Sequence, residues 1–236
     1  MPATVVQSKT GSSTLATTAA TWNTAATAGN LLVIVVASDD YAATPPTGFT
    51  QSTEMGQLAF LGNYLWWKVA AGGETSVNYV IGSATISVWI TLEISGLSAT
   101  PYDISAGQFT NTNAISYTTK LLTPTAGDRY ILAVIGGNDS PAGLTSTLST
   151  WLNSFVEIAQ VTAVSGATAE VTGVAAFSVT ANGSTSYSSG ATYSNSGIDG
   201  RTSLIIAFNV AAAVGGGTTI TGLGRRFHGF IYSPER

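Results

Sequence analysis

Apolar and polar residues alternate with a period of two along much of the chain. In residues 85–95, Ile86, Val88, Ile90, Leu92 and Ile94 alternate with Thr85, Ser87, Trp89, Thr91, Glu93 and Ser95. A strand gathers such a set on one face, whereas a helix would scatter it around its circumference. The same spacing predicts strands through Val171, Ala175, Phe177 and Val179, and through Leu204, Ile206, Phe208 and Val210. A further strand runs through Leu65, Trp67 and Val69, with Tyr64, Trp66 and Lys68 on its opposite face. Residues 31–36 and 130–135 are apolar on both faces and predict strands covered from both sides. No stretch of helical length shows a helical stripe. Residues 144–158 offer at most one short helical turn, weakened by Gly143 and β-branched neighbours.

Turn-forming residues punctuate these runs at strand-like intervals: Pro45-Pro46-Thr47-Gly48, Ala71-Gly72-Gly73, Gly96, Ala126-Gly127-Asp128 and Asn182-Gly183. Asn-Gly and Gly-Gly supply the positive φ that tight connections need. Many short strands broken in this way predict an all-β sandwich or barrel.

The chain echoes itself. Ala28-Gly29-Asn30 leads into the apolar run at 31–36, and Ala126-Gly127-Asp128 leads into the run at 130–135. Residues 69–76 resemble residues 179–186, and each half then closes on a strongly apolar strand. Two arrangements fit: one sandwich whose halves are built alike, or two tandem small sandwiches. The first is preferred, because no linker is evident around residues 100–113. Residues 187–201, rich in Ser, Gly, Asn and Tyr, predict a long loop. Val214-Gly215-Gly216-Gly217 then reads as a flexible joint. The expected organisation is a sandwich over residues 1–213 and a C-terminal arm over residues 214–236.

The order of several short motifs resembles a jelly-roll module of phage virion and bacterial surface proteins. They are Ala28-Gly29-Asn30-Leu31-Leu32-Val33, Pro45-Pro46-Thr47-Gly48-Phe49, Leu65-Trp66-Trp67-Lys68-Val69-Ala70, Glu93-Ile94-Ser95-Gly96 and Pro101-Tyr102-Asp103. Ala126-Gly127-Asp128, Pro141-Ala142-Gly143-Leu144 and the strand at 204–211 continue the likeness, which spans residues 3–212. The resemblance implies a jelly-roll-like antiparallel β-sandwich spanning both halves, a structural or adhesive role, and no catalytic residues. The arm lies outside it.

Composition narrows the function. Only 8% of residues are charged, with a net charge of −4 and a pI of about 4.7. A roughly average domain is a quarter charged, so this surface repels its own copies weakly and suits packing in a shell or fibre. Without a basic balance, nucleic acid is not an expected partner. The chain has no cysteine, which removes disulfides and thiolate metal sites. Met1-Pro2-Ala3-Thr4 lacks a signal-peptide layout, and the longest apolar run is too short to cross a bilayer. The expected place is therefore a virion, made in the host cytoplasm, with no membrane partner.

Candidate chemistry is sparse. The single histidine, His228, follows the glycine joint and has no evident carboxylate to hold it. Asp39, Asp40, Asp103, Asp139 and Asp199 occupy loop-like places where Asp bonds its own backbone. No Asp-rich calcium loop occurs. No catalytic residue, metal or cofactor is expected. The candidate contacts are of two kinds. In the arm, Arg225, Arg226, Phe227, His228, Phe230, Tyr232 and Arg236 combine planar cations with apolar anchors suited to a partner subunit. On the sandwich, Trp66, Trp89, Tyr187 and Tyr193 are candidate glycan or subunit contacts, although the two tryptophans fit equally well as filling beneath a second layer.

Three functions follow. The leading one is a capsid decoration or cement protein that docks by its arm onto other virion subunits and copies of itself. The others are a tail or fibre module that binds host glycans and, last, a glycan-active enzyme using Asp39 or Asp40.

Overall fold

The computed structural model describes residues 2–39, 43–52, 57–58, 61–82, 86–110, 112, 115–139, 147–165, 169–180, 183–194 and 198–212, with the backbone alone at 57–58, 139, 169–180 and 198–199. All regular structure among them is β. The first half comprises β1 (Thr4–Ser13), β2 (Thr17–Thr21), β3 (Leu31–Ser38), β4 (Ala43–Thr44), β5 (Thr50–Gln51), β6 (Gln57–Leu58), β7 (Leu61–Val69), β8 (Ser76–Ile81) and β9 (Ser87–Ser95). The second comprises β10 (Leu97–Thr110), β11 (Ser116–Thr118), β12 (Arg129–Asp139), β13 (Leu148–Ser149), β14 (Val156–Ser165), β15 (Ala169–Thr180), β16 (Gly190–Tyr193) and β17 (Ile198–Val210).

The pairing is nested, as if one long hairpin had been rolled up. In the first half β1 pairs with β9, β2 with β8 and β3 with β7. Closing the roll brings β3 beside β9 and β4 beside β8. In the second half β10 pairs with β17, β11 with β16 and β12 with β15, and closure brings β12 beside β17 and β13 beside β16. Every pair is antiparallel. Each half is thus wound as a jelly roll, with a large sheet (β1-β9-β3-β7-β5, or β10-β17-β12-β15-β14) and a three-stranded one (β2-β8-β4, or β11-β16-β13). The halves also depart alike from a plain eight-strand roll. The strands preceding β7 and β15 hairpin onto them in the large sheet, as β5 and β6 on one side and β14 on the other.

The two large sheets pack face to face. Leu31, Val33, Val35, Leu65, Ile90, Leu92 and Ile94 of the first half share one core with Tyr130, Leu132, Val134, Leu204, Ile206 and Phe208 of the second. The internal echo is therefore two windings joined by a common core, rather than one roll shared by the halves. Its sequence signature marks the loops that meet before β3 and β12. Gly29 donates to Ala70 O at 3.0 Å and Gly73 to Ala26 O at 2.8 Å; in the second half Gly183 donates to Gly127 O at 3.0 Å. A Cβ at Gly183 would fall 1.6 Å from Thr125 O, so only glycine admits that approach.

Each three-stranded sheet covers the outer face of its large sheet. Ala20, Trp22, Tyr79 and Ile81 close over Leu32, Ile34, Val36, Tyr64, Trp66 and Trp89. On the other side Tyr117, Leu148, Ala191 and Tyr193 close over Ile135, and Leu122 and Phe155 over Ile131, Ala133, Ile205 and Ala207. The molecule is a four-layer β-sandwich. The polar face of β9 is consequently buried as well. Thr91 Oγ1 donates to Thr21 O at 2.8 Å, and Ser87 Oγ bonds Tyr79 Oη at 3.1 Å. Glu93, on the same face, is 1% exposed. Residues 187–201 differ from the expected loop: Gly190–Tyr193 is a strand because it pairs with both β11 and β13, and β17 begins at Ile198.

Candidate functional site

β10 is the longest of the described strands and lies at the edge of the second large sheet, hydrogen-bonded on one side to β17. It starts directly after Gly96, whose φ of 77° turns the chain out of β9. Its two halves differ. The register against β17 shifts between Leu97 and Tyr102 and again between Tyr102 and Ile104. Pro101 sits within this bulged part and has no N–H to offer a partner. Asn209 Nδ2 clasps the bulge by donating to Thr100 O and Tyr102 O at 3.0 and 3.1 Å. From Ile104 to Thr110 the register is unbroken.

The bulged part is anchored inward. Asp103 Oδ2 accepts from Arg129 Nε at 2.8 Å and from the Thr125 amide at 3.0 Å, and Oδ1 accepts from Thr125 Oγ1 at 2.8 Å. Burial raises the Asp103 carboxyl, but these bonds outweigh it and hold it below its ordinary value. The Tyr102 ring stacks on Trp67 (6.1 Å between centroids, 3° between planes), and Trp67 meets Phe208 edge-on at 6.4 Å. The edge strand is thereby locked to the common core.

Among the described residues no strand pairs with the outer side of the regular part, although Tyr117 Oη donates to Gln108 O at 3.2 Å and Gln108 Nε2 donates to Thr118 O. Ile104 is 37% and Phe109 55% exposed, beside Tyr102 at 43%. The only charge on β10 is Asp103, which is paired with Arg129. Edge strands are normally protected by charges, prolines or bulges, and residues 104–110 have none. The opposite side of the sandwich is different: there the edges β1 and β14 lie against each other. The described chain also ends near the start of β10, since Val210 pairs with Leu97 and Ala211 N donates to Gly96 O at 2.9 Å. An unprotected edge flanked by apolar side chains can accept another strand.

The predicted site residues fall elsewhere. Trp66 is 0% and Trp89 6% exposed. Trp66 stacks on Tyr64 at 5.5 Å, and its Nε1 donates to Gln51 Oε1 at 3.3 Å. Trp89 lies over Gly11, where a Cβ would come within 2.3 Å of its ring. Tyr193 is 2% exposed, with the Arg201 guanidinium 5.5 Å from its ring; burial pushes its phenol above the ordinary tyrosine range, opposed by Arg201. These three rings are structural filling and present no face to a sugar. Tyr187 is half-buried, bridges Leu122 through backbone bonds of 2.7 and 2.8 Å, and packs on the outer core. Asp39 Oδ1 caps the Ile86 amide at 3.0 Å. Arg225, Arg226, Phe227, His228, Phe230, Tyr232 and Arg236 lie outside the described residues, as does Asp40. β10 was missed at the sequence level because its apolar residues are irregularly spaced across the bulges.

A small crevice of about 180 Å³ lies between Trp22, Phe49, Lys68 and Glu74. Lys68 Nζ is 2.9 Å from Glu74 Oε1 and 5.3 Å from the Phe49 ring centre. Burial raises the Glu74 carboxyl, but Lys68 and the Ala71 and Gly72 amides outweigh it and bring it to about 2. Its polar atoms satisfy one another and staple the β7–β8 loop. Among the described residues no three His, Cys, Asp or Glu side chains converge as metal ligands. Comparison of the chain with protein-family models, with curated proteins and with solved structures returns no match.

Proposed function

We propose that this chain is a structural subunit of a phage virion, serving as a capsid decoration or cement protein that docks through its C-terminal arm. The observation that supports this reading most is the edge strand β10, which exposes Ile104 and Phe109 and whose first residue, Leu97, pairs with Val210 near the end of the described chain. A charge-poor surface over a four-layer body suits close packing with like or unlike subunits. The glycan-binding alternative loses support, because Trp66, Trp89 and Tyr193 are committed to the core. The enzymatic alternative loses support as well, because Asp39 caps the Ile86 amide. The test is localisation and incorporation: the protein should be found in purified particles by mass spectrometry and particle imaging, and deletion of residues 214–236 should abolish its incorporation. Particles that lack the protein, or that take up the deletion variant normally, would overturn the proposal.

A further inference from the structure

We infer that the crevice between Trp22, Phe49, Lys68 and Glu74 is a binding site for one neutral sugar ring. The inference goes beyond the proposed assembly role and does not depend on it. It uses none of the aromatic residues that the sequence marked as glycan contacts.

Both walls of the crevice are loops held in one conformation. On one side Phe49 N donates to Pro46 O at 3.0 Å, with Gly48 at φ 81°. This is a tight turn that needs glycine at its third position, and it fixes Thr47 and Phe49, which line the crevice. On the other side the Glu74 carboxylate accepts from the Ala71 and Gly72 amides at 2.9 Å each. Trp22, 4% exposed, is tied to that wall through its amide, which donates to Thr75 O at 2.9 Å. A ligand here therefore costs the protein little further ordering.

The second half shows what this loop needs for closure alone. Val69 lies opposite Leu31, and Val179 opposite Tyr130, the first residue of each central strand in the common core. Both loops then close through a glycine amide, Gly73 N to Ala26 O at 2.8 Å and Gly183 N to Gly127 O at 3.0 Å. At the positions that correspond to Lys68 and Glu74 the second half carries Ser178 and Ser184. The loop thus closes without an ion pair. In a chain that is only 8% charged, the pair in the first half is available for a second use.

The class of ligand follows from charge and size. Lys68 Nζ and Glu74 Oε1 are 2.9 Å apart, with side chains 24% and 17% exposed. An anion approaching Lys68 meets Glu74, and a cation approaching Glu74 meets Lys68, so the pair favours neither. A neutral hydroxyl is accepted, because the ammonium has three N–H groups and Glu74 takes one. Thr47 and Ser76 add exposed hydroxyls that both donate and accept. Phe49 and Val77 add half-buried apolar surface for the C–H groups of a ring. At about 180 Å³ the crevice is smaller than the roughly 300–1,000 Å³ that encloses a drug-sized molecule, so it takes a single ring rather than an oligosaccharide.

The test is a titration of the full-length, isotope-labelled chain followed by amide NMR. The probes are glucose, galactose, mannose and N-acetylglucosamine, each free and as its methyl glycoside. At least one should bind with a Kd of about 1 mM, the range that a ligand of this size reaches. Its shifts should centre on the amides of 47–49, 68 and 72–77. Thr47→Val and Ser76→Ala alter exposed side chains. Each should weaken binding by about threefold to tenfold, the worth of one hydrogen bond, with an unchanged melting temperature. Lys68→Met should weaken it at least tenfold while the β12 amides keep their shifts and show that the fold is intact. Binding of a methyl glycoside supports the end of a glycan as the source, and binding of free sugars alone supports a free sugar; both support a neutral ring. No saturable shift with any sugar at tenfold the expected Kd, or shifts centred elsewhere, would overturn the inference. So would tighter binding of glucuronic acid or glucosamine than of the neutral sugars. None of these readouts involves particles, so their failure is distinguishable from failure of the proposed function.

Discussion

Asn63 of β7 presses its carboxamide onto Gly136 of β12, across the interface between the two jelly rolls. A Cβ at Gly136 would lie 2.1 Å from Asn63 Oδ1, and Asn63 Nδ2 donates to Thr202 Oγ1 on β17. Asn63 is 0% exposed. This is a polar, glycine-dependent contact between the two halves of the sandwich. Gly136→Ala should destabilise the protein by roughly 1–3 kcal/mol through overpacking. Thr202→Val should cost about 1–3 kcal/mol by leaving the Asn63 donor without its partner. Urea unfolding should show lower midpoints for both, still in one transition, because the halves share the core. Two separate transitions would show that the halves unfold independently.

Asp103 and Arg129 form a pair with side chains 7% and 8% exposed. Removing one member leaves the other nearly buried without its counter-charge. Asp103→Asn should therefore lose about 3–5 kcal/mol. The double variant Asp103→Asn/Arg129→Met should recover part of that loss, measured by chemical denaturation as a coupling between the two sites.

Three carboxylates, Glu74, Glu93 and Asp103, are held below their ordinary values. For Glu93, burial raises the carboxyl, but Gln7 Nε2 at 2.5 Å, the Thr27 amide at 2.9 Å and Asn30 Nδ2 at 2.6 Å outweigh it. A group with a depressed native pKa stabilises the fold above its unfolded value, and that contribution fades as pH falls through the native value. For Glu74 the window runs from 4.5 down to about 2. The melting temperature should be flat at neutral pH and fall through this range, and Glu74→Gln should reduce the slope. A melting temperature that rises on acidification would contradict the assignment.

The buried tryptophans carry a further expectation. Trp66→Ala should cost roughly 3–5 kcal/mol, as for a large side chain removed from a packed core. Glycan-array binding by the intact protein should show no hit that depends on Trp66 or Trp89.

Gly11→Ala on β1 should also destabilise, by about 1–3 kcal/mol. The Trp89 ring occupies the space where the new methyl would stand. The near-ultraviolet dichroism of the variant should change with the indole's environment, while the strand signal persists.

Much of the fold was legible in the amino-acid pattern. Strict alternation in 86–94 placed β9, and the doubly apolar runs at 31–36 and 130–135 placed the central strands β3 and β12, because a strand's two faces repeat every second residue. The repeated Ala-Gly-Asn and Ala-Gly-Asp turns marked two equivalent halves, since a positive φ before each central strand demands glycine: Gly29 has φ 86° and Gly127 φ 112°.

What lay beyond the pattern was which face meets which layer. Alternation separates the two faces of a strand but does not say what covers the polar one. Ser87, Thr91 and Glu93 look solvated in sequence and are buried because strands distant along the chain bring hydrogen-bond partners to them. For the same reason Trp66 and Trp89 moved from candidate contacts to core, and the place of β10 at the end of its sheet appeared only once its neighbours were known. Periodicity is a local property that the sequence determined alone. Burial and edge exposure depend on long-range pairing, and only the tertiary structure decided them.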